Sequence, residues 1–245
     1  MSIDDRTTKA LGPDVMKQLK TLHFCIVGCG GTGANFAEML VRTGATRLTL
    51  IDGMEVKESG LNRVSSYCKS DCGHLKVKAL KERLEAIRTD VDVCTLSDSF
   101  RAQDDMLPDY PKGQWVRDAV YKADVVFIGT DTNRSRIAIE KLCRAKTGGR
   151  YLSCGVLVDQ EKGVFEFECA WLCSTPPECV ADEGYGPDNA SFASIVHEAT
   201  SVAFTMLISH LKCEDSDFKY YHRRYDSCFK PVITSKNERS SGNIP

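Results

Sequence analysis

The chain has 245 residues, 27% of them charged and 42% hydrophobic, with a formal net charge of −2 at pH 7. That length and balance support a sizeable core and exclude a disordered chain; near-neutrality excludes a dominant electrostatic grip on nucleic acid. There is no apolar run of about 18 residues to cross a membrane, and the opening MSIDDRTTKALGPD has no apolar signal core, so a cytoplasmic chain with its 12 cysteines reduced is expected.

Residues 1–22 are polar with helical spacing at Val15, Met16, Leu19 and Leu22. HFCIVG (23–28) reads as a buried strand, 32–43 as a helix through Phe36, Ala37, Leu40 and Val41 with Gly44 as its C-cap, and 47–51 as a second strand. Residues 52–74 form a long loop region, 75–87 an amphipathic helix and 91–96 a third strand. After a turn-rich stretch at 98–114 come a short helix at 115–121, a strongly apolar strand at 124–129, a helix at 134–146 closed by Gly148-Gly149, a strand at 151–158 and an alternating strand at 163–168. A second long loop spans 169–190, the longest helix 192–211, and the basic-aromatic FKYYHRRY (218–225) reads as a polar tail ending in strand-like PVIT and a frayed terminus. Strands alternating with helices predict an α/β fold, Rossmann-like, with a mainly parallel sheet, helices on both faces and a C-terminal antiparallel extension. Such sheets bind ligands beyond the carboxyl ends of their strands. One domain over 1–245 is expected: a helical segment at 1–22, a nucleotide-binding half at 23–149, and a second half at 150–245 carrying the 169–190 loop.

Gly28-Cys29-Gly30-Gly31-Thr32-Gly33 fits G-x-G-x-x-G between a strand and a helix. Its glycines allow a tight turn and close backbone approach, and the helix start offers free N–H groups and a positive dipole end to phosphate. Asp52, at the end of the second strand, can accept from ribose hydroxyls. That pattern alone favours NAD and an oxidoreductase. Asn62 and Arg63 in the loop after the second strand, Lys76 opening the next helix, and Asp131 after the apolar strand favour a triphosphate instead, because cations offset its charge and a carboxylate can hold Mg²⁺ against it.

These motifs together resemble the E1-like ubiquitin-activating adenylyltransferase family, which includes the ThiF and MoeB enzymes. IVGCGGTGANFAEMLVRTGATRLTLIDGMEVKESGLNR is similar to its glycine loop, second strand and S-N-L-N-R segment. DCGHLKVKALKERLEAI is similar to its G-x-x-K helix, GTDTNRSR to its T-D-N-x-x-x-R segment, and CAWLCSTPPECVADEG to its cysteine loop. The resemblance runs over about residues 11–212, with Gly60, Val64 and Met54 departing from the family's usual Asn, Gln and acid. It implies that Gly28, Gly30, Gly31 and Gly33 line ATP, that Asp52 holds the ribose, and that Asn62, Arg63 and Lys76 attend the triphosphate. Arg63 and Lys76 would stabilise charge as pyrophosphate leaves, and Asp131 would bind Mg²⁺. The implied reaction is adenylation of the C-terminal glycine of a ubiquitin-like or sulfur-carrier protein, followed by thioester formation on Cys179. A minimal enzyme of a bacterial ubiquitin-like conjugation system fits the chain's length; an E2-like protein is a further candidate partner and a homodimer the expected assembly. Arg6 is the candidate for the arginine that some members lend across a dimer. Cys169 and Cys173 sit where the family has half a zinc site, spaced C-x3-C instead of C-x-x-C. His197 on the long helix reads as structural. Cys25, Cys94, Cys143 and Cys154, in apolar runs, read as buried hydrophobes. A non-catalytic scaffold subunit is the remaining alternative.

Overall fold

The computed structural model describes residues 2–98, 111–131, 133–159, 164–171, 191–213, 216, 219–226 and 229–232. The apolar runs become parallel strands: β1 (Phe24–Val27), β2 (Arg47–Ile51), β3 (Asp92–Leu96) and β4 (Val125–Ile128). All four residues of β1 and of β4 are buried, the pattern of central strands covered on both faces. Seven strands form one sheet in the order β3-β2-β1-β4-β5-β6-β7, where β5 is Arg150–Asp159, β6 is Val164–Trp171 and β7 is Tyr220–Tyr225. Strands β1 to β5 run parallel, β6 pairs antiparallel with β5, and β7 antiparallel with β6. The expected mainly parallel α/β sheet with an antiparallel C-terminal extension is the fold observed.

Alternating strand residues feed two cores. Phe24 and Ile26 of β1 join a large cluster with helices α2 (Pro13–Thr21), α3 (Gly31–Thr43), α4 (Lys76–Ile87) and α7 (Ala193–Lys212). Cys25 and Val27 face a smaller cluster with α5 (Pro111–Lys122) and α6 (Asn133–Ala145). Helix α7 is largely apolar; Ile195, Val196, Ala199, Ala203, Met206 and Leu207 are buried against the sheet. Gly44 ends α3 at φ 128°, its N–H donating to the Leu40 and Val41 carbonyls.

Four sequence readings change. Helix α5 begins at Pro111, inside the stretch read as turn-rich, because proline suits a first helical turn. Cys94 is exposed: β3 is the sheet edge, and this face opens on a groove of about 510 Å³ shared with His23, Thr49 and Trp115. The 169–190 loop starts too early, since Cys169, Ala170 and Trp171 belong to β6. The FKYYHRRY tail is not a tail, for Tyr220–Tyr225 is β7; of PVIT, Pro231 makes an isolated bridge to Tyr225, and residues 233–234 lie outside the described residues.

The extension rises past the parallel strands. Strand β5 pairs with β4 as far as Ser153, then runs on to Asp159 paired with β6 alone. An aromatic cluster of Phe165, Phe192, Tyr225 and Phe229 joins this overhang to the residues leading into α7.

A charge cluster pins α1 (Asp5–Leu11) and α2 to the body. Arg88, 3% exposed, donates to Asp90 Oδ1 at 2.7 Å, Asp4 Oδ1 at 3.1 Å and the Val41 carbonyl at 3.3 Å, and Lys20 Nζ reaches Asp4 Oδ2 at 2.7 Å. Burial would raise the Asp4 carboxyl, but the hydrogen bonds to Lys20 and Arg88 outweigh it and hold it below its ordinary value. A depressed folded-state value contributes stability above the unfolded value of about 3.9 that is lost as pH falls through the folded one. Urea midpoints measured from pH 6 down to pH 2 should therefore decline below about pH 4, and Asp4→Asn should lower the neutral-pH midpoint and flatten that decline. Identical acid limbs in both proteins would refute the assignment.

Candidate nucleotide site

The strand order reverses beside β1, which has β2 on one side and β4 on the other. Ligands bind at such a switch point, and here the loops after β1 and β4 meet. Gly28 sits at φ 90°, and a Cβ there would lie 2.7 Å from the Gly129 carbonyl oxygen. A Cβ on Gly33 would lie 1.8 Å from the Gly28 carbonyl oxygen. These two glycines are required by the packing of the turn itself. Gly30 is different: among the described residues nothing lies within 4 Å of its Cβ position, so it faces open space.

Helix α3 starts at Gly31 with Gly30 as N-cap and no side-chain cap, and it has no acidic residue in its first turn. Its first helical bond runs from Ala34 N–H to the Gly30 carbonyl at 3.0 Å. The preceding N–H groups therefore point out of the helix start, an arrangement that favours anions. Thr130 Oγ1, in the neighbouring loop, is buried without a hydrogen-bond partner.

Asp52 is buried and bridges two loops: Oδ2 accepts from Cys29 N–H at 2.8 Å and Oδ1 from Met54 N–H at 2.8 Å. Lys76 Nζ stands 3.5 Å from Asp52 Oδ2. Tyr67, also buried, donates its hydroxyl to the Cys29 carbonyl at 2.9 Å, with the Lys76 carbonyl at 3.3 Å, linking the glycine loop to the start of α4.

Arg63 lays its aliphatic stem 3.5 Å from the Cβ position of Gly31. Its Nη1 donates to the Ser59 carbonyl at 2.9 Å and Asn62 Oδ1 at 3.0 Å. Among the described residues no carboxylate pairs with it, and burial pushes the guanidinium below its usual value. Asn62 uses its other end to donate to the Ser191 carbonyl at 2.8 Å, just before α7. Asp131 is exposed beyond β4 and forms no ion pair with Arg63 or Lys76. The glycines, Asp52, Asn62, Arg63 and Lys76 are thus brought around one loop; Asp131 is exposed in the segment after β4.

The thiols separate by environment. Burial raises Cys25, burial with Asp52 alongside raises Cys29, and burial lifts Cys143 to about 12. Cys169, expected in a loop zinc site, is fully buried in β6; its Sγ lies 3.3 Å from the Ala199 carbonyl and 3.6 Å from Cys154 Sγ. Among the described residues, no group of three or more His, Cys, Asp or Glu side chains is placed to hold a metal ion. Cys173 and Cys179 lie outside the described residues. His197 is partly exposed, yet its Nε2 is buried without a hydrogen-bond partner. Arg6 lies exposed on α1.

Asn35 and Tyr67 escaped the motif reading, and Thr130 entered it only as part of the T-D-N-x-x-x-R segment, with no role of its own. A polar residue on the apolar face of a predicted helix was the available signal for Asn35; Tyr67 and Thr130 lie in segments without periodicity.

Compared with known proteins, residues 5–207 match the model of the ThiF family. The chain is 30% identical to the tRNA threonylcarbamoyladenosine dehydratase of Escherichia coli over 139 residues, covering 56% of this chain and 48% of the relative. It is 29% identical to ubiquitin-like modifier-activating enzyme 5 of Bombyx mori over 175 residues, covering 67% and 42%. The matches thus span less than half the length of these two curated relatives. The crystal structure of E. coli MccB with MccA-N7isoASN shares the fold, with TM-score 0.68 and 18% identity over 94% of this chain and 70% of that one.

Proposed function

The chain belongs to the ThiF family, and from that premise we propose that it is an E1-like adenylyltransferase that activates the C-terminal glycine carboxylate of a ubiquitin-like or sulfur-carrier protein with ATP. One observation carries this reading: a half-buried guanidinium, Arg63, with no carboxylate partner among the described residues, leans on an uncapped, glycine-lined helix start. That arrangement suits a polyanion.

The residues fit a nucleotide triphosphate. The outward N–H groups of α3 and the open space at Gly30 suit its phosphates, and the orphaned Thr130 hydroxyl offers one more hydrogen bond. Asp52, pre-set by two backbone N–H groups, keeps lone pairs for ribose hydroxyls. Asp131 suits Mg²⁺, which is commonly held by one or two carboxylates plus substrate phosphates. When bound, the ion neutralises phosphate charge. Arg63 and Lys76 would oppose the charge that grows on departing pyrophosphate, and the turn would hold the phosphates for attack by the carboxylate. In the same reading the whole chain is a single adenylation domain working as a cytoplasmic homodimer, Cys179 takes the acyl group as a thioester, and an E2-like protein receives it. The buried thiols are poor competitors for that role, since the thiolate is the nucleophile.

The dehydratase relative supports a second reading, in which the carboxylate is carried by a tRNA nucleoside. ATP–pyrophosphate exchange with Mg²⁺ separates the two. Exchange that needs a protein ending in a free glycine supports the first, and exchange that needs tRNA replaces it. Absence of exchange with either refutes adenylation. A reductant-sensitive, ATP-dependent gel shift that vanishes in Cys179→Ala tests the thioester; a shift that persists moves it to another cysteine.

A further inference from the structure

We infer that Asn35 is a positioning residue for Arg63: it fixes the Arg63 loop to the helix whose first turn faces the ligand, so that the guanidinium stands at a set distance from the glycine loop. The inference rests on the reading of Arg63 given above and names a residue outside the glycine motif.

An asparagine carries a cost in that place. Position 35 lies in α3 between the buried Ala34 and Phe36 and is itself 5% exposed. Asparagine is a mediocre helix former, and a buried amide costs free energy unless its donors and acceptor are used. An apolar side chain would suit this face of α3 better by either measure.

The amide is used on one target. Nδ2 donates to the Arg63 carbonyl at 3.0 Å, and Oδ1 accepts from Ser65 N–H at 3.1 Å and Ser65 Oγ at 3.0 Å. The side chain grips the backbone on both sides of Val64, in a segment outside any helix or strand. Arg63 is then steadied at both ends, its carbonyl by Asn35 and its guanidinium by Ser59 and Asn62. Asn35 is only one helical turn from Gly31, against which the Arg63 stem rests. The outward N–H groups and the cation are thereby held in one rigid unit, which is what stabilising a fleeting charge requires. A second tether, Ser66 Oγ to Glu38 Oε2 at 2.7 Å, acts one turn further along α3 and is the rival explanation for how the loop is held.

The test is a double-mutant cycle in the full chain, read by exchange rate, by affinity for a non-hydrolysable ATP analogue and by melting temperature. Asn35→Leu keeps the approximate size and adds no charge. It should lower the exchange kcat about tenfold in the parent, the scale of losing well-made buried hydrogen bonds, while KM for ATP changes less. In an Arg63→Ala background the same substitution should cost less than about threefold, because the group it positions is gone. Equal losses in both backgrounds would reduce Asn35 to a fold-stabilising residue and overturn the inference. So would an unchanged kcat in folded Asn35→Leu, which would leave the Glu38 tether sufficient. If Asn35→Leu does not fold, Asn35→Ser, smaller and still polar, is read by the same criteria. A parent that binds the analogue but shows no exchange refutes the proposed function instead, and the cycle is then read on analogue affinity.

Discussion

Gly33→Ala is expected to unfold the glycine loop and abolish nucleotide binding. The new Cβ would fall 1.8 Å from the Gly28 carbonyl oxygen, less than any real contact. The obstructing atom is backbone, and Gly28 is itself locked by its positive φ and by Gly129 behind it, so nothing flexible can move aside. Relief must come from shifting the start of α3 off β1, at about 3 kcal/mol or more. Gly30→Ala is the control, since its methyl group enters open space. It should leave the melting temperature within about 1 °C of the parent's, a surface-like effect, yet weaken an ATP analogue if phosphates approach there. A native melting curve for Gly33→Ala would contradict the packing described, and full affinity in Gly30→Ala would move the phosphates elsewhere.

Arg63→Ala should lower ATP–pyrophosphate exchange by about 10²- to 10³-fold, the usual loss when one charge-stabilising group is removed from an active site. Stability should move the other way or not at all. The guanidinium is half-buried with no carboxylate beside it among the described residues, and burial already depresses its pKa, so it bears a desolvation cost that the substitution removes. Lys76→Ala should differ, because it strips the cation from buried Asp52, 3.5 Å away, and so is expected to lose stability as well as rate. Exchange rates and melting curves on the three proteins check both statements. An Arg63→Ala enzyme with parent-like exchange would remove the reason for assigning a polyanion to this site.

The parallel half of the fold was legible because its signals are local. Phe24–Val27 and Val125–Ile128 are uninterrupted apolar runs, and the glycine motif sits between a strand and a helix. The antiparallel half was only partly so. β7 reads YYHRRY, with one side of its alternation carrying Tyr220 and His222; these pair with Glu168 at 2.9 Å and Glu166 at 3.2 Å on β6. Its partners lie more than fifty positions away, so no window around residue 220 contains the reason it is a strand. Cys94 and Cys169 failed for a related cause. Both sit in strands, but one strand is an open edge and the other lies beneath α7, and strand order is not written in local pattern. Within the site, the spacing of glycines, Arg63 and Lys76 marked where charge gathers. The supports behind it, Asn35 and Tyr67, became visible only once the 52–74 loop had a path.

The overhang of β5 and β6 sets a limit on the shape of anything that reaches the glycine loop. From Ser153, the last residue level with β4, to Asp159 the strand continues for six residues, about 20 Å at a strand's rise. The binding end of the sheet is therefore a step with a tall riser, buttressed by Phe192 and Phe229, and not a flat shelf. In the proposed reading, a reactant approaching over β5 meets this wall before the glycine loop, and an extended terminus passes it more readily than a globular surface.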